Sequence, residues 1–228
     1  PHLFAHQAAA LASIGSGRPT LISTGTGSGK TESFLYPIIS RAMELRDAKA
    51  DPSIIAVLVY PMNALAEDQL QRLRGLLAGT GVTFGMYVGN TPERLADVTG
   101  QVLLAGSSGT DYEKALAQAR ARKQTTTVHP PEERVCREQM RTPGQQPRIL
   151  LTNVKQLELL LTRYKDVELF AGASLEFLVF DEAHTFSGAA GAETACLIRR
   201  LRAFCGEGER PTVCIGTSAT LADAEGDV

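Results

Sequence analysis

The chain has 228 residues, with 23 basic and 25 acidic side chains and a formal net charge of −2. Hydrophobic residues make up 43% and charged residues 21%, which excludes wholesale disorder. No run of about 18 uncharged apolar residues occurs, so no helical membrane span is expected.

The length suits one large domain, because about 200 residues bury enough apolar surface to hold a core without staples. The N-terminal run PHLFAHQAAALASIGSGRP has no basic segment ahead of its apolar stretch, so it does not read as a signal peptide. It opens without a methionine, as a segment from inside a longer chain would. Cys136, Cys196, Cys205 and Cys214 show no CxxC spacing, which points to a reducing, cytoplasmic setting rather than a secreted disulfide framework. A near-neutral balance means that any nucleic-acid site must be a local patch.

In chain order, a helix is expected over residues 3–14 and a strand over 20–23. The run Thr24-Gly25-Thr26-Gly27-Ser28-Gly29-Lys30-Thr31 follows, and a helix is expected over 29–47. Strand, glycine-rich turn and helix are the context of a phosphate loop. The glycines admit backbone conformations and close approaches that a Cβ would obstruct. Successive N–H groups and the helix N-terminus then cradle an anion. Lys30 can reach the β- and γ-phosphates, and the Thr31 hydroxyl can ligate Mg²⁺. Thr24 stands where the GxxxxGK(S/T) pattern begins with glycine. Alone, such a loop says NTP binding and no more.

Apolar strands are expected over 54–60 and 83–87, with a helix over 63–78 between them. From about residue 92 to 147 the sequence is polar and lacks a strong period. Its middle holds a short Ala/Arg-rich helix, a threonine run and a Pro-Pro break, which read as an insertion or mobile excursion. A solvated surface and a basic contact surface are both open readings of it. A strand over 149–152 and a helix over 154–164 follow, then a strand over 177–181, a helix over 189–204 and a strand over 212–217. This alternation predicts an α/β fold with a mainly parallel sheet, helices on both faces, and functional loops at the carboxyl ends of the strands.

The run Phe177-Leu-Val-Phe-Asp181-Glu182-Ala183-His184 is an apolar strand ending in two carboxylates. Asp181 would hold Mg²⁺, while Glu182 would orient and deprotonate an attacking water. His184 could hydrogen-bond a neighbouring loop and report the γ-phosphate state. Arg199, Arg200 and Arg202 lie on the leucine-rich helix that follows, as a solvated or domain-facing side or as phosphate ligands.

The phosphate loop, Asp181-Glu182-Ala183-His184 and Ser218-Ala219-Thr220 occur in that order, each after an expected strand. Together they resemble the first RecA-like, P-loop domain of a superfamily 2 DExH/DEAH helicase. His6-Gln7 resembles the Q-type motif, which implies that Gln7 reads the adenine edge. Tyr60-Pro-Met-Asn63-Ala-Leu-Ala-Glu-Asp-Gln69 resembles motif Ia, Gly89-Asn90 lies where a motif Ib glycine is expected, and Leu151-Thr152-Asn153 resembles a strand end that grips the tracking strand. Asn63, Gly89, Thr152 and Asn153 are thereby implied to contact nucleic acid. Ser218, Ala219 and Thr220 would link ATP state to that grip.

The stretch from Asp181 to Gly188, Gly191 and Leu197-Ile-Arg-Arg-Leu-Arg202 are similar to the large-helicase-related group, including mitomycin-repair-type DNA helicases and phage-defence helicases of the DISARM type. The resemblance implies an ATP- and Mg²⁺-dependent DNA helicase in repair or antiviral defence, with 3′-to-5′ translocation on a single strand or a duplex–single-strand junction. It also implies a second RecA-like domain, carrying an arginine finger, elsewhere in the same protein. An RNA-dependent DExH ATPase shares these motor loops, and an ATP-gated scaffold without unwinding is a further alternative.

Overall fold

The computed structural model describes residues 3–25, 27–122, 126–205 and 210–219, so Thr26 and Thr220 lie outside the described residues. The chain runs α1 (Ala5–Gly15), β1 (Thr20–Ser23), α2 (Lys30–Asp47), β2 (Ala56–Tyr60), α3 (Asn63–Leu77) and β3 (Phe84–Met86). It continues through β4 (Gln101–Val102), α4 (Gly109–Ala121), β5 (Val128–His129), β6 (Glu133–Arg134) and α5 (Arg137–Arg141). Last come β7 (Ile149–Asn153), α6 (Val154–Leu160), β8 (Phe177–Phe180), α7 (Gly188–Cys205) and β9 (Val213–Ser218).

Seven strands form one sheet in the order β1-β9-β8-β2-β7-β3-β6, and each pairing is parallel. The three central strands are apolar, apart from the Thr152-Asn153 end of β7, because helices cover both faces. Their side chains alternate with the pleat. Ala56, Leu58 and Tyr60 of β2, with Ile149 and Leu151 of β7, join Phe34, Ile38, Leu70 and Leu73 from α2 and α3 in one core layer. Val57, Val59, Leu150, Leu178 and Phe180 face the opposite layer, with Leu157 and Leu160 of α6 and Leu197 and Leu201 of α7. This is the expected RecA-like arrangement.

One expectation needs correction. The helix expected over 154–164 ends at Leu160, and a 3-10 turn occupies Tyr164–Phe170. The chain turns there because Asp166 is buried, where it accepts the Tyr87 hydroxyl and an Arg141 hydrogen bond at 3.3 Å. The excursion, in turn, is part of the fold. Its β6 adds the seventh strand against β3, and β4 and β5 form a separate parallel pair. Ser108 caps α4 reciprocally with Asp111.

The anchor of this segment is ionic. Arg74 of α3 donates through Nε and Nη2 to both Glu133 oxygens, at 2.7 Å each, and both side chains are 3% exposed. His129 Nδ1 lies 3.0 Å from the same carboxylate. A bidentate, charge-assisted pair supplies direction as well as energy, and here it fixes where the excursion rejoins the sheet. No described helix is long and apolar enough to cross a membrane. All four cysteines are free thiols.

Candidate functional site

The phosphate-loop residues leave β1 at the carboxyl edge of the sheet. Gly27 and Gly29 take φ of 75° and 80°, the left-handed region that favours glycine, whereas Thr24 does not have a positive φ. Its position therefore does not require glycine, and its Oγ1 bonds Ser28 Oγ at 2.7 Å across the loop. A Cβ built at Gly25 or Gly27 would meet no protein atom within 4 Å. What those glycines keep clear is open space above the loop, as a phosphate cradle requires. Lys30 opens α2, and its Nζ donates to the Thr24 carbonyl at 2.8 Å, so the lysine arches over the loop.

Gln7 reaches the same loop from α1. Its Nε2 donates to the Gly29 carbonyl at 3.1 Å, and its Oε1 accepts the Phe4 N–H at 3.0 Å. The side chain expected to read a base is thus tied to the loop that would hold the phosphates.

One strand, β9, separates β1 from β8. Ser23 pairs with Ser218 and Phe180 with Gly216, so the phosphate loop and Asp181 leave the same edge. Adjacent strands lie about 4.8 Å apart, so the ends of β1 and β8 are about 10 Å apart. The Thr24 N–H donates to the Ser218 carbonyl at 3.4 Å, which binds the loop to the strand between them.

Thr217 of β9 links to both acidic residues. Its hydroxyl donates to Asp181 Oδ1 and accepts the Glu182 N–H at 3.2 Å. Glu182 sits at φ 51°, a left-handed conformation that non-glycine residues rarely hold. Thr217 holds its N–H, and the Thr185 N–H and hydroxyl donate to its carbonyl at 2.9 and 2.8 Å. These partners sustain the strained turn at the foot of the carboxylate pair. His184 Nδ1 stands 3.3 Å from Glu182 Oε2 and 3.3 Å from Ser218 Oγ, bridging the acidic loop to the end of β9, which Ala219 follows.

Thr217 carried no sequence signal, since a threonine in a strand reads as ordinary β propensity. Tyr60, the first residue of the motif Ia run, buries its ring in the core, and its hydroxyl has no hydrogen-bond partner among the described residues. Burial, and then the nearby Asp181 charge, hold the Tyr60 phenol well above its ordinary pKa.

The expected nucleic-acid residues gather at the ends of β2, β3 and β7. Asn63 is exposed at the start of α3, and Asn153 ends β7. Gly89 is exposed beyond β3. Thr152 differs from expectation: it is fully buried, and its hydroxyl donates to the Tyr87 carbonyl at 2.7 Å. It holds β7 to the chain after β3 and offers no hydroxyl to solvent. Arg200 pairs with Glu158 at 3.3 Å on the far helical face.

No group of three or more His, Cys, Asp or Glu side chains able to hold a metal occurs among the described residues. A magnesium ion does not need one, because it keeps waters and takes ligands from substrate phosphates plus one or two protein oxygens. Thr31 in the first turn of α2 and Asp181 fit that donor set.

The chain is 33% identical to the Druantia protein DruE of Escherichia coli (strain UMEA 4076-1) over 97% of its length, and 26% identical to the uncharacterized ATP-dependent helicase YprA of Bacillus subtilis (strain 168), also over 97%. It spans only 16% of DruE and 23% of YprA. Among solved structures, the DUF1998 helicase MrfA bound to DNA and AMPPNP superposes with a TM-score of 0.61 at 26% identity, covering 96% of this chain and 24% of that one. The sequence pattern of DEAD/DEAH box helicases matches residues 4–104 and 104–228, and on that match this chain belongs to the DEAD/DEAH box helicase family.

Proposed function

We propose that this chain is the ATP-binding lobe of a DNA helicase of repair or antiviral defence, working with a second RecA-like domain of the same protein. The observation that carries the reading is the edge shared by β1, β9 and β8. It brings the Lys30 loop, the Asp181–Glu182 pair and Thr217 to one side of the sheet.

In this reading the amides of residues 24–31 and the Lys30 ammonium hold the triphosphate, and Gln7 holds the base edge. Thr31 and Asp181 would ligate Mg²⁺, which neutralises charge on the phosphates when bound. Glu182 orients the attacking water and takes its proton, a role suited to the carboxylate that Thr217 does not engage. His184, touching both Glu182 and Ser218, passes the state of the site to the end of β9. Asn63, Asn153 and the backbone at Gly89 contact phosphates, which carry no base information, so a translocase can step along any sequence.

The test uses the full-length protein. Glu182→Gln should retain ATP and lose hydrolysis stimulated by single-stranded DNA, with RNA of the same sequence as the parallel arm. Undiminished hydrolysis in that variant would remove Glu182 from its role, and stimulation by RNA alone would move the reading to an RNA-dependent ATPase.

A further inference from the structure

A cleft of about 690 Å³ opens between α5 and the turn that follows α6. It borders the proposed grip. Arg137, on its wall, donates through Nη2 to the Val88 and Gly89 carbonyls at 3.0 and 2.8 Å, and its guanidinium lies 5.1 Å from the centre of the Tyr87 ring. Thr152 bonds the Tyr87 carbonyl from β7, so the wall, Gly89 and the strand end at Asn153 are one connected unit.

The lining divides into committed and uncommitted charge. Arg141 pairs with Glu93 and with the buried Asp166. Arg94, Arg163 and Lys165 are exposed and make no ion pair among the described residues. Five cations face three carboxylates in a chain whose formal net charge is −2. Between Arg163 and Lys165 stands Tyr164, 92% exposed, the most open large hydrophobic side chain among those described.

An exposed aromatic ring flanked by free cations suits one kind of ligand. Bases stack on aromatic side chains without regard to sequence, while neighbouring cations take the phosphates. We infer that this cleft is an additional contact site for single-stranded nucleic acid, in which Tyr164 stacks a base and Arg94, Arg163 and Lys165 hold phosphates of the strand leaving Gly89 and Asn153. The inference rests on the proposed helicase reading and extends its track beyond the loops of the motor core. Arg137 and Arg141 build the wall, and the excursion supplies both.

The experiment measures binding of short and long oligothymidylates and of an RNA counterpart to the full-length protein, as a function of salt. The variants are Tyr164→Ala and the pair Arg163→Glu with Lys165→Glu. All three residues are exposed and outside the ATP site, so basal ATP turnover should not change. Each variant should bind the long strand about tenfold more weakly, and the charge variant should show a shallower salt dependence. The shortest strands should bind as to wild type. In parallel, an iodouracil-substituted strand should photo-crosslink to the peptide containing Tyr164. Wild-type affinity in both variants on DNA and RNA, or crosslinks confined to peptides elsewhere, would overturn the cleft while leaving the helicase reading intact. A wild-type protein that binds no single strand would overturn both.

Discussion

The side-chain amide of Asn153 donates to Asn63 Oδ1 at 2.7 Å, joining two loops that leave adjacent strands in register, Tyr60 opposite Asn153. The pair is asymmetric. Asn153 Oδ1 also accepts the Gln156 N–H at 2.7 Å and so caps α6, whereas the N-cap of α3 is Met62, which makes no side-chain cap bond. One residue is structural and available to ligand at once; the other has only its exposed carboxamide.

This asymmetry separates the two by mutation. Asn153→Ala should cost about 1 kcal/mol of stability through the lost cap, and should also weaken nucleic-acid binding. Asn63→Ala should leave stability within about 0.5 kcal/mol, as surface substitutions do, while weakening nucleic-acid binding. Urea unfolding paired with oligonucleotide titration of the full-length protein reads both quantities.

Two glycines of the phosphate loop should differ in what an alanine costs the fold. At Gly29, φ is 80° and a Cβ would stand 2.6 Å from Gln7 Nε2 and 3.3 Å from Glu32 Oε2. Gly29→Ala should therefore lose about 1–2 kcal/mol through left-handed strain and displace Gln7. At Gly25 φ is not positive and a Cβ meets no protein atom within 4 Å, so Gly25→Ala should fold with unchanged stability. Both should bind nucleotide more weakly, Gly25→Ala because its methyl enters the space held for phosphate. Calorimetric ATP titration beside thermal unfolding distinguishes them.

Much of this site was legible because its parts are local. A strand, a glycine turn and a lysine lie within a dozen residues, and the apolar run ending in Asp181 and Glu182 is contiguous. The same holds for β2, β7 and β8, whose continuous apolar runs require cover on both faces. What escaped depends on partners far apart in the chain. The two-residue β6 is too short to show a period, and its place is fixed by Arg74, 59 residues before Glu133. Thr152 looks like a phosphate ligand until its hydroxyl is found on the Tyr87 carbonyl, 65 residues away. Thr24 departs from the glycine pattern harmlessly because its backbone never enters the left-handed region.

Thr217 offers a third test. Its one hydroxyl positions Asp181 and holds the Glu182 N–H, so Thr217→Val keeps the shape of the strand and removes both bonds. Losing a hydrogen bond to a charged group costs about 1.5–3 kcal/mol. Turnover in the full-length protein should fall more than nucleotide affinity, because the carboxylates would lose their alignment while the phosphate loop stays intact. Equal losses in both would make Thr217 a general support of the sheet edge.

The ion pair beneath the excursion predicts how the domain meets acid. Burial alone would raise the Glu133 pKa, but hydrogen bonds from Arg74 and His129 outweigh it and hold the carboxyl below its usual 4.5. A depressed folded-state pKa means that the unfolded chain binds the proton first. The contribution of Glu133 is therefore fully present above about pH 4.5 and drains away as pH falls through its folded value. Glu133→Gln removes this acid-dependent part and leaves the buried Arg74 guanidinium with only the half-exposed Glu67 carboxylate, 3.3 Å away, as a charge partner, at a cost of about 3 kcal/mol near neutral pH. Urea unfolding across the acid range should show wild type losing stability below about pH 4.5, with a shallower loss in the variant. Parallel slopes for the two proteins would mean that other carboxylates govern acid unfolding and that the Arg74–Glu133 pair is not what holds β6 to the sheet.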